Sequence, residues 1–169
     1  MPMPETRLAV DTNFVMDLAR RQDDAFDALE VIRRRLRGAQ IFVVPRVCKE
    51  LAHKMLTDPD AKEREDARVA LSNIRVWGME PAELSDVQGD IAEIIGRKLL
   101  AQGIIPLKEH NDAVIVGEAA MLDCQLLLSS DTHVRDAEAA RLALALHECG
   151  VGTVVVRRPD ELTRMFGGR

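Results

Sequence analysis

The chain has 169 residues, and its 47% of hydrophobic residues is enough to bury the core of one domain. The net charge of −5 excludes a nucleic-acid binder that depends on a broad positive field, and 3% of aromatic residues argues against a base-stacking platform. No apolar run approaches the roughly 18 residues of a membrane span. We therefore expect a single cytoplasmic domain over residues 1–169, without membrane contact, with flexible ends at 1–6 and 167–169.

Apolar runs and helical periodicity alternate along the chain, which predicts an α/β fold with a mainly parallel sheet. Strands are predicted at residues 8–10, 41–44, 126–128 and 153–156, with a short strand or an extended link at 75–77. Helices are predicted at residues 14–21, 24–37, 46–56, 61–73, 81–102, 110–120 and 132–149, and from Pro159 onwards. In the long helix at 81–102, the apolar stripe predicts the buried side through Leu84, Val87, Ile91, Ile94, Ile95 and Leu99.

Basic residues cluster where the second predicted helix ends. Arg33, Arg34, Arg35 and Arg37 precede Gly38. Cations at this position complement the helix dipole and the last carbonyl groups, so a solvated helix end is favoured over an RNA contact. The three cysteines form no CxxC pair, which is typical of reduced thiols in the cytoplasm.

Acidic side chains stand where strands give way to helices. Asp11 follows the first strand, and Asp131 follows the strand at 126–128. Glu50 and Asp112 lie in the first turns of helices. Because the carboxyl ends of parallel strands share one edge of the sheet, all four acids can converge there.

Four neighbouring carboxylates need a counter-charge, since like charges raise one another's pKa. Oxygen ligands without a Cys or His set favour Mg²⁺ or Mn²⁺, and such an acid cluster suits phosphodiester hydrolysis. Asp11 alone would be interpreted as an N-cap. Together with the other acids it is interpreted as a metal ligand, with capping left to Thr12 or Asn13.

These residues, in this order, resemble PIN-domain ribonucleases, the group that includes VapC-type toxins of toxin–antitoxin pairs. The resemblance covers nearly the whole chain. Its motifs are Asp11-Thr12-Asn13, Glu50, Asn111-Asp112-Ala113, Ser129-Ser130-Asp131 and the ending Arg158-Pro159-Asp160-Glu161-Leu162.

The resemblance implies a three-layer α/β/α sandwich and a Mg²⁺- or Mn²⁺-dependent endoribonuclease. It implies that Asp11, Glu50, Asp112 and Asp131 are catalytic metal ligands, supported by Thr12, Asn13 and Ser129. The implied partners are an RNA substrate, an antitoxin protein and often a second copy of the chain in a homodimer.

Two alternatives stay open from the residues themselves. One is a PIN-like scaffold that binds RNA or protein without cutting it. The other is a phosphatase with Asp11 as nucleophile, which would need a second acid where Asn13 stands. Arg46, Lys49, Lys54, Lys108 and Arg135 flank the acids and could form a local positive rim, although each alone is interpreted as a surface cation. His110 and His133 are interpreted as ordinary loop histidines.

Overall fold

A parallel sheet forms the centre of the molecule. The computed structural model describes residues 5–130 and 138–166, and in them five strands form one sheet in the order β3-β2-β1-β4-β5, with every adjacent pair parallel. The strands are β1 (Arg7–Val10), β2 (Gln40–Val43), β3 (Glu80–Pro81), β4 (Leu126–Leu128) and β5 (Val155–Arg157). The central strand β1 is fully buried at Leu8, Ala9 and Val10, as expected for a parallel strand covered on both faces.

Helices flank this sheet, which confirms the predicted three-layer α/β/α architecture. In the described residues they are α1 (Thr12–Ala19), α2 (Asp23–Arg35), α3 (Pro45–Thr57), α4 (Ala61–Asn73), α5 (Asp86–Ala101), α6 (His110–Met121), α7 (Ala139–Glu148) and α8 (Pro159–Phe166). The most extensive helix contacts join α5 to α6, α3 to α4, and α2 to α8. None of the helices in residues 5–130 and 138–166 combines the length and apolar composition that crossing a bilayer requires.

The region between α4 and α5 differs from the prediction. Residues 75–77 form a turn, and the third strand follows at Glu80–Pro81. The predicted helix at 81–102 starts later, because Ser85 caps it at Asp86 in a capping box with Gln88. Pro81 instead pairs in the sheet with Val43 at its edge, a position that proline tolerates.

The predicted buried stripe of α5 is also wrong in part. Val87 is 68% exposed and Ile94 59% exposed. The side of α5 that faces α6 carries small residues, since a Cβ added at Gly117 of α6 would lie 2.4 Å from the Ala92 carbonyl oxygen. Gly96 of α5 similarly approaches Val114. This close helix contact turns the face of small residues inward and leaves part of the larger apolar stripe in solvent.

The last part of the chain follows the prediction with shifted boundaries. The final strand lies at Val155–Arg157, one to two residues later than predicted, in register with Leu126–Leu128. Of the helix predicted at 132–149, the described part is Ala139–Glu148, and residues 131–137 lie outside the described residues. Most of the ends predicted to be flexible, at 1–4 and 167–169, also lie outside them.

Candidate active site

The predicted site residues follow the carboxyl ends of neighbouring strands. Val10 pairs with Val43 on one side and with Leu128 on the other, so β1, β2 and β4 end at the same level of the sheet. Asp11 comes directly after β1, and Ser129 directly after β4. The topology therefore places these residues at one edge, named here the C-terminal edge, where open α/β sheets bind their ligands.

Asp11 is buried at this edge, with 3% of its surface exposed, and both of its carboxylate oxygens accept hydrogen bonds. Oδ1 accepts from the backbone N–H of Phe14 at 2.8 Å, and Oδ2 accepts from the Ser129 hydroxyl at 2.6 Å. Asp11 is thus the N-cap of α1, and the prediction that capping passes to Thr12 or Asn13 is wrong. The reason is local geometry, because Asp11 has the extended backbone of an N-cap while Thr12 is already helical.

Ser129 is fully buried and is tied to two strands. Its backbone N–H donates to the Arg157 carbonyl oxygen at 3.0 Å, and its hydroxyl donates to Asp11. The predicted supporting group therefore contacts a predicted acid directly, and it fixes the orientation of that carboxylate.

Glu50 is held by the second predicted supporting residue. The Thr12 hydroxyl donates to Glu50 Oε2 at 2.7 Å, which links the helix after β1 to the helix after β2. Both side chains line a cavity of about 440 Å³ together with Asn111, the neighbour of Asp112. The other lining residues come from α3 and the turn that follows it, namely His53, Lys54, Thr57, Asp58 and Pro59.

Asp112, Asn13 and Asp131 are the remaining predicted site residues. Asp112 lies half-buried in the first turn of α6, beside the cavity-lining Asn111, and Asn13 is exposed. Asp131 lies outside the described residues. Among residues 5–130 and 138–166, no group of three or more His, Cys, Asp or Glu side chains is arranged to hold a metal ion. The chemistry of the donors at this edge, carboxylate and hydroxyl oxygens, is nevertheless that of Mg²⁺ and Mn²⁺ ligands.

Glu118 is a buried acid near the site that the sequence analysis did not single out. Helix α3 has Val44 at its N-cap, without a side-chain hydrogen bond. Glu118 of α6 supplies the missing acceptor, because its Oε1 accepts from the backbone N–H of Arg46 at 2.8 Å. The helix that carries Glu50 is thereby joined to the helix that carries Asp112.

Burial raises the pKa of Glu118, and the Arg46 hydrogen bond and charge offset part of this effect. The side chain is 6% exposed and lines a second cavity, of about 380 Å³, between α3, α5 and α6. The signal in the sequence was a charged residue inside a helix that is otherwise apolar nearly all round, since such residues are seldom buried without a specific partner.

Ion pairs hold two of the five cations considered for a positive rim, Arg46 and Lys54, and a third, Arg135, lies outside the described residues. Arg46 pairs with Glu93, which also lies 3.5 Å from His110 Nε2. Lys54 Nζ lies 3.0 Å from both Asp58 Oδ2 and Glu63 Oε2. The hydrogen bonds that Lys54 donates to these two acids raise the pKa of its ammonium group, so it stays charged in the lining of the cavity that Glu50 also lines.

No protein-family model and no curated protein matches the chain. Among solved structures, a chain of the crystal structure of VapBC2 from Rickettsia felis bound to a DNA fragment from their promoter has a TM-score of 0.60. The match covers 90% of this chain and 98% of that chain, at 14% sequence identity. At an identity this low, the structural match shows that the two chains share a fold and nothing more.

Proposed function

We propose that the protein is a divalent-metal-dependent endoribonuclease that hydrolyses RNA phosphodiester bonds at the C-terminal edge of the sheet. The observation that carries the proposal is the linked pair of contacts Ser129–Asp11 and Thr12–Glu50, which fixes two carboxylates from separate strand ends. Asp112, in the first turn of α6, and Asp131, after β4, complete the proposed set of metal-binding catalytic acids. The similarity in fold to a chain of the VapBC2 complex supports the same assignment.

Each described residue has a defined task in this proposal. Ser129 orients Asp11, and the backbone N–H of Phe14 holds the other oxygen of the same carboxylate. Thr12 orients Glu50 toward the cavity in which an RNA nucleotide next to the scissile phosphate would lie. Mg²⁺ or Mn²⁺, when bound by these acids, supplies Lewis acidity that activates water and stabilises the leaving oxygen.

The direct test is incubation of the purified protein with RNA and Mn²⁺ or Mg²⁺, alongside the variants Asp11→Asn and Asp112→Asn. The wild type should cleave RNA only with the metal, and both variants should lose cleavage. Asn at position 11 retains an acceptor for the Phe14 N–H, so loss of activity there cannot be attributed to an uncapped helix. Equal cleavage by the wild type and both variants would contradict the proposal.

We further propose that the protein is the toxin of a type II toxin–antitoxin pair, because a solved structure that shares its fold is a VapBC complex. A small upstream reading frame whose product has a DNA-binding N-terminus would support this assignment. The test has two parts: that product should co-purify with the present chain, and it should relieve the growth arrest that expression of the present chain causes. An upstream product that neither binds the chain nor reduces RNA cleavage would contradict it. A homodimer stays a prediction that sedimentation equilibrium can test.

A further inference from the structure

Helix α5 has a solvent-exposed face on the side away from the core. The buried residues of this helix are Ala92, Ile95, Gly96, Leu99 and Leu100. Because the helix has about 3.6 residues per turn, the residues opposite them form a second face along its whole length. That face consists of five exposed residues and is named here the α5 outer face: Val87, Asp90, Ile94, Arg97 and Ala101.

Apolar side chains form a stripe along the α5 outer face. Val87 is 68% exposed and Ile94 59% exposed. The two lie seven residues apart, and Ala101 follows seven residues after Ile94, so all three lie on one line along the helix. A seven-residue apolar repeat on the exposed side of a helix is typical of a surface that packs against another helix.

Two opposite charges lie within this stripe. Asp90 is four residues before Ile94, and Arg97 is three residues after it. Among residues 5–130 and 138–166, neither of these two charged side chains forms an ion pair or a hydrogen bond. By contrast, Glu93 and Lys98, which lie on the flanks of the same helix, both form ion pairs with other helices. The charges of the α5 outer face therefore remain available to a second molecule.

The order of these residues fits a second copy of the same helix in antiparallel orientation. With a rise of about 1.5 Å per residue, Asp90 lies about 6 Å before the level of Ile94, and Arg97 lies about 4.5 Å after it. When two antiparallel copies meet at Ile94, Asp90 of each copy therefore comes within about 1.5 Å of the level of Arg97 of the other. Val87 then lies opposite Ala101, and two ion pairs flank an apolar centre.

The charges also select the orientation and the kind of partner. Parallel packing would place Asp90 beside Asp90 and Arg97 beside Arg97, and such like-charge contacts are unfavourable. Antiparallel packing gives the isologous contact of a two-fold dimer, in which one surface is complementary to itself. A helix of an unrelated protein would need no such symmetry about Ile94. The pattern therefore favours a second copy of this chain over another protein.

We propose that the α5 outer face joins two copies of this chain in a two-fold dimer with antiparallel α5 helices. Asp90 of each copy pairs with Arg97 of the other, around a centre formed by Ile94. The proposal gives a surface to the predicted homodimer and does not depend on ribonuclease activity. Helix α5 has 16 residues and is about 24 Å long, so the contact is smaller than a standard interface of about 800 Å² per partner. We therefore expect a dimer that dissociates at micromolar concentrations.

Charge reversal tests this symmetry directly. Sedimentation equilibrium of the full chain in EDTA, without RNA, should show a concentration-dependent dimer for the wild type. Asp90→Arg and Arg97→Asp should each weaken that dimer at least tenfold through like-charge contacts. An equimolar mixture of the two variants should recover dimerisation, because both ion pairs then join opposite charges. Since metal and RNA are absent, failure of the ribonuclease proposal would leave this result unaffected.

Asp27→Arg is the matched control, because Asp27 is an exposed acid on α2, outside the α5 outer face. It should dimerise as the wild type does, and circular dichroism should show that every variant is folded. A wild type that stays monomeric at all concentrations would overturn the proposal and leave the face to a different partner. Dimerisation of Asp90→Arg as tight as that of the wild type would overturn it by assigning the homodimer to another surface. A mixture of the two reversed variants that stays monomeric would also overturn it.

Discussion

At the C-terminal edge of the sheet the best-defined acid is buried and held by hydrogen bonds, whereas at the end of α2 the side chains of Arg33, Arg34, Arg35 and Arg37 are exposed. Asp11 has two protein partners within 2.8 Å, and Glu50 is oriented by Thr12. Arg34, by contrast, keeps 74% of its side chain in solvent. The comparison shows two uses of charge: fixed carboxylates suit a small ion with strict geometry, while exposed arginines at the end of a helix complement its dipole.

The largest expected effect is the loss of RNA cleavage when an acid at the C-terminal edge is replaced. Glu50→Gln removes a proposed metal ligand but keeps an acceptor for the Thr12 hydroxyl. We expect RNA cleavage to fall roughly a hundredfold, as the loss of a few kcal/mol of metal-based stabilisation would produce. Initial cleavage rates measure the effect.

Glu65→Gln is the matched control for that experiment, since Glu65 is an exposed acid on α4 that pairs with Arg68. Its cleavage rate should equal that of the wild type. A similar loss of activity in both variants would mean that general charge, and not the position at the C-terminal edge, controls cleavage.

The second prediction concerns the connection between α3 and α6. Glu118→Ala leaves the part-buried Arg46 N–H without its acceptor and enlarges the adjoining cavity. We expect the free energy of unfolding to fall by about 1–3 kcal/mol, the usual cost of an unsatisfied buried group. Urea unfolding measures it. Glu118→Gln keeps an acceptor oxygen and should lose less, and equal stability of Glu118→Ala and the wild type would show that this contact is dispensable.

A third and smaller effect separates the two roles of Asp11. Asp11→Ala removes the N-cap of α1 and should cost about 1 kcal/mol of stability, whereas Asp11→Asn keeps a good capping residue and should cost less. Both variants should lack cleavage activity. Thermal unfolding of the pair gives the comparison, and retained activity in Asp11→Asn would assign Asp11 to capping alone.

The smallest expected effect is a pH dependence. The raised pKa of Glu118 means that the folded protein holds a proton over a pH range in which the unfolded chain has already released it. Stability should therefore fall as pH rises above the ordinary value of 4.5, and level off above the folded pKa. The Glu118→Gln variant cannot titrate there, so its unfolding midpoint should lack this component. If the unfolding midpoints of the wild type and Glu118→Gln changed with pH in parallel, that would contradict a raised pKa of Glu118 in the folded protein.

The fold was predictable because its signals are local. The apolar runs at Leu8–Val10 and Leu126–Leu128 become parallel strands, and α4 lies over the predicted residues 61–73. The location of Asp11 and Ser129 at one edge follows from the parallel topology alone.

Features that depend on tertiary packing could not be predicted in the same way. Val87 and Ile94 were expected inside. The close approach of Gly117 to Ala92 instead buries the face of α5 that carries Ala92, Ile95 and Leu99. Glu118 caps a helix that is distant in sequence. Arg33 reaches the carbonyl oxygen of Trp77, 44 residues further along the chain, only through folding.

Calorimetric titration with Mn²⁺ tests the central claim most directly, because it examines the acids at the C-terminal edge without any RNA. The wild type should bind Mn²⁺, Asp112→Asn should bind it at least tenfold more weakly, and the control Glu65→Gln should match the wild type. A wild-type protein that is folded and binds neither Mn²⁺ nor Mg²⁺ would contradict the metal-dependent nuclease and favour a scaffold that holds RNA or protein without cutting it.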